Sequence, residues 1–264
     1  MLDQENRIAA GVDVGTECVK AVVVAEDGRV LGRAVVPTRG YFQACAYEAL
    51  TSALDDAQRH EEELVGVGAT GFAMDCVPKA TLTATESACH ALGAFQTVRH
   101  HMTLVNIGGR DPHVIAVDDQ GRRVAARGVR RCAVGVGSFL MFTARHLDVS
   151  ATRLQELASS GDRPARVSSY CSVFSGAEVL ERLREGASRE DVALGCMHSI
   201  AERIVEIGGF TDPLVICGGV AEYFPGVLDA LASLSGMKVC TVPDSIYTAA
   251  LGAGLGVHRR PLES

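Results

Sequence analysis

Residues 8–24 read IAAGVDVGTECVKAVVV, two apolar runs on either side of a short polar turn. Both runs have the length and residue types of a β-strand. A second hairpin follows, because Asp27-Gly28 is a strong turn dipeptide and residues 29–36 alternate acceptably for a strand. Three antiparallel strands are therefore predicted to open the chain.

Downstream of these strands, the apolar pattern predicts a helix over 41–63, a buried strand over 64–71 and an Ala-rich helix over 83–95. The same order then recurs. Strands are predicted at 102–107, 113–118 and 124–126, helices at 137–148, 152–159, 175–185 and 188–208, and the final elements at 214–217, 224–234, 238–242 and from 245 onward. The pattern thus predicts an α/β protein with an internal repeat.

The repeat predicts two domains with a ligand cleft between them. Residues 1–99 form the first half, with the last helix, 245–264, packing back on it. Residues 100–244 form the second half.

Composition excludes several classes of partner. The chain has 264 residues and a net charge of -7, and its Lys and Arg residues are scattered, which argues against a nucleic-acid binder. Its first residues are acidic, unlike a signal peptide, and no apolar run approaches the ~20 residues of a membrane span. We expect no membrane partner and a cytoplasmic location.

The nine cysteines are dispersed and include no C-x-x-C pair. Their odd number argues against a disulfide framework, and their spacing argues against a zinc ribbon. Most are predicted to be small core residues, Cys217 among them. A metal site would need ligands from distant parts of the chain or from a second chain.

Three glycine-containing turns follow predicted strands and would expose backbone N–H groups. They are Asp13-Val14-Gly15-Thr16 with Lys20 downstream, Asn106-Ile107-Gly108-Gly109, and Gly218-Gly219. Such turns can bind a polyphosphate, while a carboxylate such as Asp13 holds hydrated Mg²⁺. Each turn alone is also compatible with an ordinary hairpin, so the set is more informative than its members.

A fourth turn lies within Arg131-Cys132-Ala133-Val134-Gly135-Val136-Gly137-Ser138. Gly135 and Gly137 lead into a helix whose apolar face is formed by Phe139, Leu140, Phe142, Ala144 and Leu147. A helix start offers free N–H groups and a positive dipole end to an anion, and it favours a thiolate on a cysteine beside it.

The sequence resembles the superfamily of acetate kinases, sugar kinases, Hsp70 and actin. Within it, the chain is similar to activator ATPases of 2-hydroxyacyl-CoA dehydratases and ATPase subunits of benzoyl-CoA reductase. The resemblance is carried by seven blocks in the family's order, at residues 11–20, 85–94, 106–111, 131–140, 171–175, 217–221 and, last, Pro243 with 249–253.

The resemblance implies two ribonuclease H-like halves of the actin and Hsp70 type, with ATP and Mg²⁺ bound in the cleft. Nucleotide contacts are then expected from the three turns and from Gly135 and Gly137. Asp13 is expected at the metal, and Glu86 and Asp111 are expected to position water or to complete the metal shell.

It also implies a [4Fe-4S] cluster shared with a second chain, either homologous or identical, each chain giving two thiolates. The matching thiols are Cys132 and Cys171. ATP hydrolysis would drive electrons at low potential from ferredoxin to acyl-CoA reductase or dehydratase subunits.

Several positions depart from the family pattern. The second turn usually begins with Asp and continues Gly-Gly-Gln-Asp, where this chain has Asn106 and Arg110, and Val136 and Ser138 replace Thr and Arg after Cys132. Such departures are easier to understand in one chain of a heterodimer. They favour the small ATPase subunit of a class I benzoyl-CoA reductase over a dehydratase activator.

Two other functions stay open. A sugar or N-acetylhexosamine kinase would share the glycine-containing turns that bind phosphate. The sequence, however, has no clear Asp at the position where such kinases carry their catalytic Asp. A nucleotide-gated regulatory subunit without ATPase activity is supported by Asn106 and Arg110.

Overall fold

The computed structural model describes residues 7–128, 135–167 and 172–259, which form two compact units. The first unit contains residues 7–101, 116–125 and 246–259. The second contains residues 102–115 and the described part of 126–245.

The first unit is built on a five-stranded sheet. Its strands are β1 (Ile8–Val14), β2 (Cys18–Ala25), β3 (Val30–Pro37), β4 (Leu64–Gly71) and β5 (Ala80–Thr83), in the order β3-β2-β1-β4-β5. The first three strands pair antiparallel, as the hairpin signals predict, and β4 and β5 add parallel strands.

A second five-stranded sheet repeats this topology. Its strands are β6 (Met102–Asn106), β7 (His113–Val117), β8 (Arg123–Gly128), β9 (Leu214–Cys217) and β10 (Val239–Thr241), in the order β10-β9-β6-β7-β8. Counted from its own first strand, this is the strand order of the first sheet. The predicted internal repeat is therefore confirmed.

The described residues also form nine α-helices. They are α1 (Phe42–Ala57), α2 (Glu86–Val98), α3 (Val136–His146), α4 (Ala151–Ser159), α5 (Ser172–Arg184), α6 (Arg189–Ile207), α7 (Gly219–Tyr223), α8 (Pro225–Ser235) and α9 (Thr248–Arg259). None of the helices in these ranges has the length and apolar character needed to cross a membrane.

Helix α1 is shorter than the predicted helix over 41–63. It buries one face, formed by Cys45, Ala46, Ala49, Leu50, Ala53 and Leu54. It ends at Ala57 because Gln58 adopts a left-handed conformation with φ 53°, and only one 3₁₀ turn follows at Glu61–Glu63. The prediction of a continuous helix was wrong for this reason.

Helix α9 lies directly on the strands of the first sheet. A Cβ atom on Gly11 of β1 would be 1.9 Å from the Ala250 carbonyl oxygen, and one on Gly68 of β4 would be 2.1 Å from that of Ala253. The helix backbone therefore approaches the sheet as closely as two glycines allow. This contact brings the C-terminal part of the chain onto its first strand.

Helix α3 packs its apolar face into the core of the second unit. Phe139, Leu140, Ala144 and Leu147 are all buried there, as their spacing predicts, whereas Phe142 is only half-buried. The helix follows Gly135 directly, so its first turn is fixed by the core.

Candidate functional site

Asp13 and Lys20 form an ion pair at the end of the first hairpin. The register of β1 and β2 sets them opposite each other, and Lys20 Nζ lies 3.0 Å from Asp13 Oδ2. Their side chains are 6% and 14% exposed, respectively. Two residues predicted to bind nucleotide and metal are thus in direct contact.

The pair keeps the Lys20 ammonium charged despite its burial. Burial alone would lower the pKa of Lys20, but the negative charge of Asp13 and the hydrogen bond to it raise the pKa above its ordinary value. The first turn therefore has a charged ammonium group beside it, paired with the Asp13 carboxylate.

Gly15 brings the first turn against this ammonium group. Its N–H donates to the Cys18 carbonyl at 3.2 Å, and its own carbonyl accepts from the Thr38 hydroxyl at 2.9 Å. A Cβ at Gly15 would lie 3.1 Å from Lys20 Nζ. Gly15 and Thr16 are half-buried, so the turn reaches the surface next to Lys20.

Gly71 makes room for the Asp13 carboxylate, a role that the sequence analysis missed. Gly71 ends β4 with φ +94°, and a Cβ there would lie 2.4 Å from Asp13 Oδ1. The parallel pairing of β1 and β4 creates this contact. A glycine at the end of a buried strand indicates such a contact only when the pairing of the strands is known.

Glu86 begins helix α2, and its Oε1 lies 3.7 Å from Nε2 of His90, one helical turn later. The His90 side chain is buried, whereas that of Glu86 is partly exposed. Asp111, the other predicted water-positioning residue, is half-buried and belongs to the second unit.

The second turn starts at Asn106, the buried last residue of β6. The Ile107 N–H donates to the Cys217 carbonyl at 2.8 Å, which ties this turn to β9. A Cβ added at Gly108 would have Asn106 Oδ1 as its nearest neighbour, at 4.0 Å. The backbone beside Gly108 is therefore open, with the Asn106 side chain as its nearest neighbour.

The third turn packs on the second. Gly218 has φ +100°, and a Cβ there would lie 2.6 Å from both Asn106 Oδ1 and the Ile107 carbonyl oxygen. Gly219 then begins α7, and the Val220 N–H donates to the same Ile107 carbonyl at 2.9 Å. The predicted residues Asn106, Gly108, Gly109, Gly218 and Gly219 thus lie together in the second unit.

Ser245 holds the third turn in place, and the sequence gives little sign of it. The Gly218 N–H donates to the Ser245 carbonyl at 3.0 Å, and the Ser245 hydroxyl approaches the Gly218 carbonyl at 3.2 Å. The same hydroxyl is 3.0 Å from Glu222 Oε2.

Gly135 and Gly137 place the start of α3 against the second turn. A Cβ at Gly135 would lie 2.4 Å from the Gly109 carbonyl oxygen, and one at Gly137 would lie 2.8 Å from that of Gly108. The N–H groups of Val136 and Ser138 donate to the Arg110 and Gly109 carbonyls. The expectation of free N–H groups is therefore wrong for these two, because the second turn already occupies them. It is also wrong for three N–H groups of the other turns, those of Gly15, Ile107 and Gly218, which donate to backbone carbonyls.

The two predicted cluster ligands, Cys132 and Cys171, lie outside the described residues. Within the described ranges, no group of three or more His, Cys, Asp or Glu side chains is arranged to hold a metal ion. Of the other cysteines, Cys217 is buried as predicted, but Cys240 is exposed, so the core prediction was wrong there. Cys240 lies on β10 at the edge of its sheet.

A family model described as the BadF/BadG/BcrA/BcrD ATPase family matches residues 10–256. The chain belongs to this family. The resemblance drawn from the phosphate turns is thereby confirmed over nearly the whole sequence.

Members with known roles match over most of their length. The activator of lactoyl-CoA dehydratase of Anaerotignum propionicum is 33% identical over 248 residues, covering 93% of this chain and 95% of the relative. A benzoyl-CoA reductase subunit of Thauera aromatica is 28% identical over 261 residues, covering 94% and 92%.

Solved structures of family members share the fold. Component A of the (R)-2-hydroxyglutaryl-CoA dehydratase of Acidaminococcus fermentans superposes with a TM-score of 0.89 at 29% identity, covering 96% of this chain and 98% of that one. The 2-hydroxyisocaproyl-CoA dehydratase activator of Clostridium difficile, with bound ADPNP, gives 0.86 at 26% identity, covering 95% and 94%. The predicted fold of two related α/β halves is confirmed.

These comparisons correct one preference drawn from the sequence. The relatives include dehydratase activators both among the curated proteins and among the solved structures, and they support the activator alternative better than the benzoyl-CoA reductase reading. The departure at Asn106 does not outweigh this, because the Asn106 side chain lies against Gly218 of the third turn, a packing contact that favours neither function.

Proposed function

We propose that this ATPase is the electron-activating component of a 2-hydroxyacyl-CoA dehydratase system. ATP hydrolysis would drive low-potential electrons from ferredoxin through a [4Fe-4S] cluster to an acyl-CoA-processing partner. The observation that carries the proposal is the contact of the second turn with the start of α3, the helix that follows Cys132. A Cβ at Gly137 would be only 2.8 Å from the Gly108 carbonyl oxygen.

Features of each unit support the assignment of ATP·Mg²⁺ binding. In the first unit, Lys20 supplies a positive charge and Asp13 could bind a water of hydrated Mg²⁺ through its carboxylate. In the second unit, the backbone beside Gly108 is open. We assign phosphate contacts to Gly15, Thr16, Asn106 and Gly109, adenosine-side contacts to Gly218 and Gly219, and water positioning to Glu86 and Asp111. Binding of ADPNP by the related activator supports this assignment.

We assign the cluster to Cys132 and Cys171 of this chain and the same two thiols of a second family member. When bound, the cluster would carry one electron at a time at low potential. The residues of α3 would link it to the nucleotide. The N–H groups of Val136 and Ser138 donate to the carbonyls of Arg110 and Gly109 in the second turn, which supports this link. A shift of the second turn on loss of the γ-phosphate would therefore pull directly on the helix start.

The test begins with iron, sulfide and visible absorption of protein purified without oxygen. We expect about four irons per two chains, as for one cubane cluster. Cys132→Ala and Cys171→Ala should lose the iron, whereas Cys240→Ala, at an exposed position, should keep it. Iron-free wild-type protein, or variants that keep a normal cluster spectrum, would overturn the cluster assignment.

ATPase activity separates the remaining functions. The proposal requires hydrolysis that is strongly reduced in Asp13→Asn. Transfer of phosphate to a sugar hydroxyl would identify a kinase, and nucleotide binding without hydrolysis would identify a regulatory subunit.

A second candidate function, the ATPase subunit of a benzoyl-CoA reductase, is favoured by the relative from Thauera aromatica. Reconstitution separates the two. The protein should support turnover of a 2-hydroxyacyl-CoA dehydratase and leave a benzoyl-CoA reductase core inactive; the reverse result would favour the reductase.

A further inference from the structure

Two titratable side chains of α2, Glu86 and His90, lie one helical turn apart. Residues at positions i and i+4 share a helix face, and here His90 Nε2 is 3.7 Å from Glu86 Oε1. The His90 side chain is 4% exposed and that of Glu86 is 41% exposed. The pair therefore has one buried, fixed member and one member that reaches the surface.

The charge of Glu86 acts on the groups around the first turn. Burial alone would lower the pKa of Lys20. The negative charge of Asp13 raises this pKa, and the charge of Glu86 adds a smaller increase. The pKa of the Cys89 thiol is raised to about 11, mainly by burial. A hydrogen bond with Thr70 lowers this pKa, and the charges of Asp13 and Glu86 raise it further. The charge of Glu86 therefore acts on Lys20 of the Asp13–Lys20 pair and on the Cys89 thiol.

A carboxylate at the surface can orient water only when a neighbouring group fixes its position by a hydrogen bond. A general base acts only when one oxygen is held within hydrogen-bonding distance of the proton that it accepts. The separation of 3.7 Å is longer than a hydrogen bond, so holding requires Glu86 to move toward His90. The imidazole is the buried member of the pair, and the carboxylate is the member that reaches the surface.

We propose that His90 is a positioning residue for ATP hydrolysis, holding Glu86 Oε1 with its Nε2–H so that Oε2 faces the attacking water. The inference rests on the proposed function. The water oxygen bonds to Pγ, and the bond from Pγ to the β–γ bridging oxygen breaks, its electron pair remaining on ADP. The water proton passes to Glu86 Oε2 and from there to the phosphate product.

A double-mutant cycle on ATP hydrolysis tests this role. Glu86→Gln should lower kcat about 100-fold, and His90→Leu should lower it about tenfold with the KM for ATP unchanged. Because His90 acts through Glu86, the double variant should be no slower than Glu86→Gln alone. A purely structural role would instead lower the kcat of the double variant by the product of both factors.

The outcomes separate this inference from the proposed function. Multiplicative losses with normal wild-type hydrolysis would overturn the role of His90 and leave the ATPase intact. A wild-type protein without ATPase activity would overturn both. A raised KM in His90→Leu with unchanged kcat would also overturn it, because positioning acts on the transition state.

Conservative variants keep the test decisive if His90→Leu folds poorly, which urea unfolding would show. Gln places an amide N–H near the position of Nε2 and should keep kcat within about threefold of wild type, whereas the shorter Asn should lose about tenfold. Equal kcat values for His90→Gln and His90→Asn would contradict the assignment of Nε2 as the holding atom.

Discussion

At the scale of single residues, the ion pair of Lys20 and Asp13 determines how the site behaves with pH. Burial opposes the charge on Lys20, but Asp13 more than compensates, so the folded-state pKa lies above the ordinary value of about 10.4. The stability contributed by the ammonium is fully present below that ordinary value. It is lost only as the pH rises through the folded-state pKa.

We therefore expect the Lys20 ammonium to stay charged well beyond pH 10. The measurement is the pH titration of the lysine Cε signal by NMR, assigned by its loss in Lys20→Arg. Lys79, whose exposed side chain has its pKa raised by a hydrogen bond to Glu61, provides a paired lysine at the surface for comparison. Titration of Lys20 below the ordinary range would contradict the pairing with Asp13.

Gly71 offers a second prediction at this scale. Gly71→Ala combines backbone strain at φ +94° with a clash against Asp13 Oδ1, so it should destabilise the fold by about 3 kcal/mol and lower ATPase activity at least about tenfold. Gly40→Ala is the matched control, because Gly40 has φ +80° and nothing within 4 Å of its added Cβ. That variant should cost only about 1 kcal/mol and keep its activity. Equal losses in both would refute the clash.

Some of these residue contacts can be derived from the sequence and others cannot. The hairpin centred between Gly15 and Cys18 fixes Asp13 opposite Lys20, so their pairing follows once the turn is located. The contact of Gly71 with Asp13 depends on which strand pairs beside β1, and that choice is made by the whole sheet. His90 was missed because an apolar-facing histidine gives the same pattern as a core residue.

At the scale of elements, α3 and the second turn form one packed unit. Gly137→Ala places a methyl group against the backbone of Gly108 and Gly109, which cannot rotate away as a side chain would. Although Ala favours helices, we expect this variant to weaken ADP binding at least about tenfold by displacing the turn.

Calorimetric titration with ADP·Mg²⁺ measures the effect. The control is Gly226→Ala in α8, whose added Cβ would meet mainly the end of the flexible Gln155 side chain, at 3.3 Å. It should bind ADP like the wild type. Unchanged affinity in Gly137→Ala would separate the turn from α3 and weaken the proposed link to Cys132.

Element boundaries show where sequence patterns run out. Strand β5 was missed because its four residues alternate half-buried and exposed, which gives no apolar run, and the predicted helix was begun at its last residue, Thr83. Helix α7 was missed because it is a single short turn after Gly218. The long helices α1, α2 and α6 were predicted because each buries a regular stripe of apolar residues.

At the scale of the whole molecule, the repeat was predictable and the close packing of backbones was not. The strand–turn–strand pattern at residues 8–24 recurs at 102–118, and both sheets have the same order of strands. Hydrophobic periodicity reports which faces are buried. It does not report how near two backbones come, which depends on glycines placed opposite one another.

Helix α9 tests that packing. Gly252→Ala would place a Cβ 1.8 Å from the Cys89 carbonyl oxygen of α2, so we expect it to lower the free energy of unfolding by about 3 kcal/mol or more. Gly256→Ala, one turn later, meets only the flexible Leu82 side chain at 2.9 Å and should change stability by about 1 kcal/mol or less. Urea unfolding of both variants measures the difference. Similar urea concentrations at the unfolding midpoints would show that moving α9 away from α2 does not lower the free energy of unfolding.

The position of α9 also sets an order of assembly during synthesis. Strand β1 leaves the ribosome before the second unit, yet the helix that covers it begins at Thr248, after the second unit has been translated. The nascent first unit must therefore wait with the glycine-lined face of its sheet uncovered, exposed to chaperones and to other chains. The unit that starts first is completed last, and the final helix closes it.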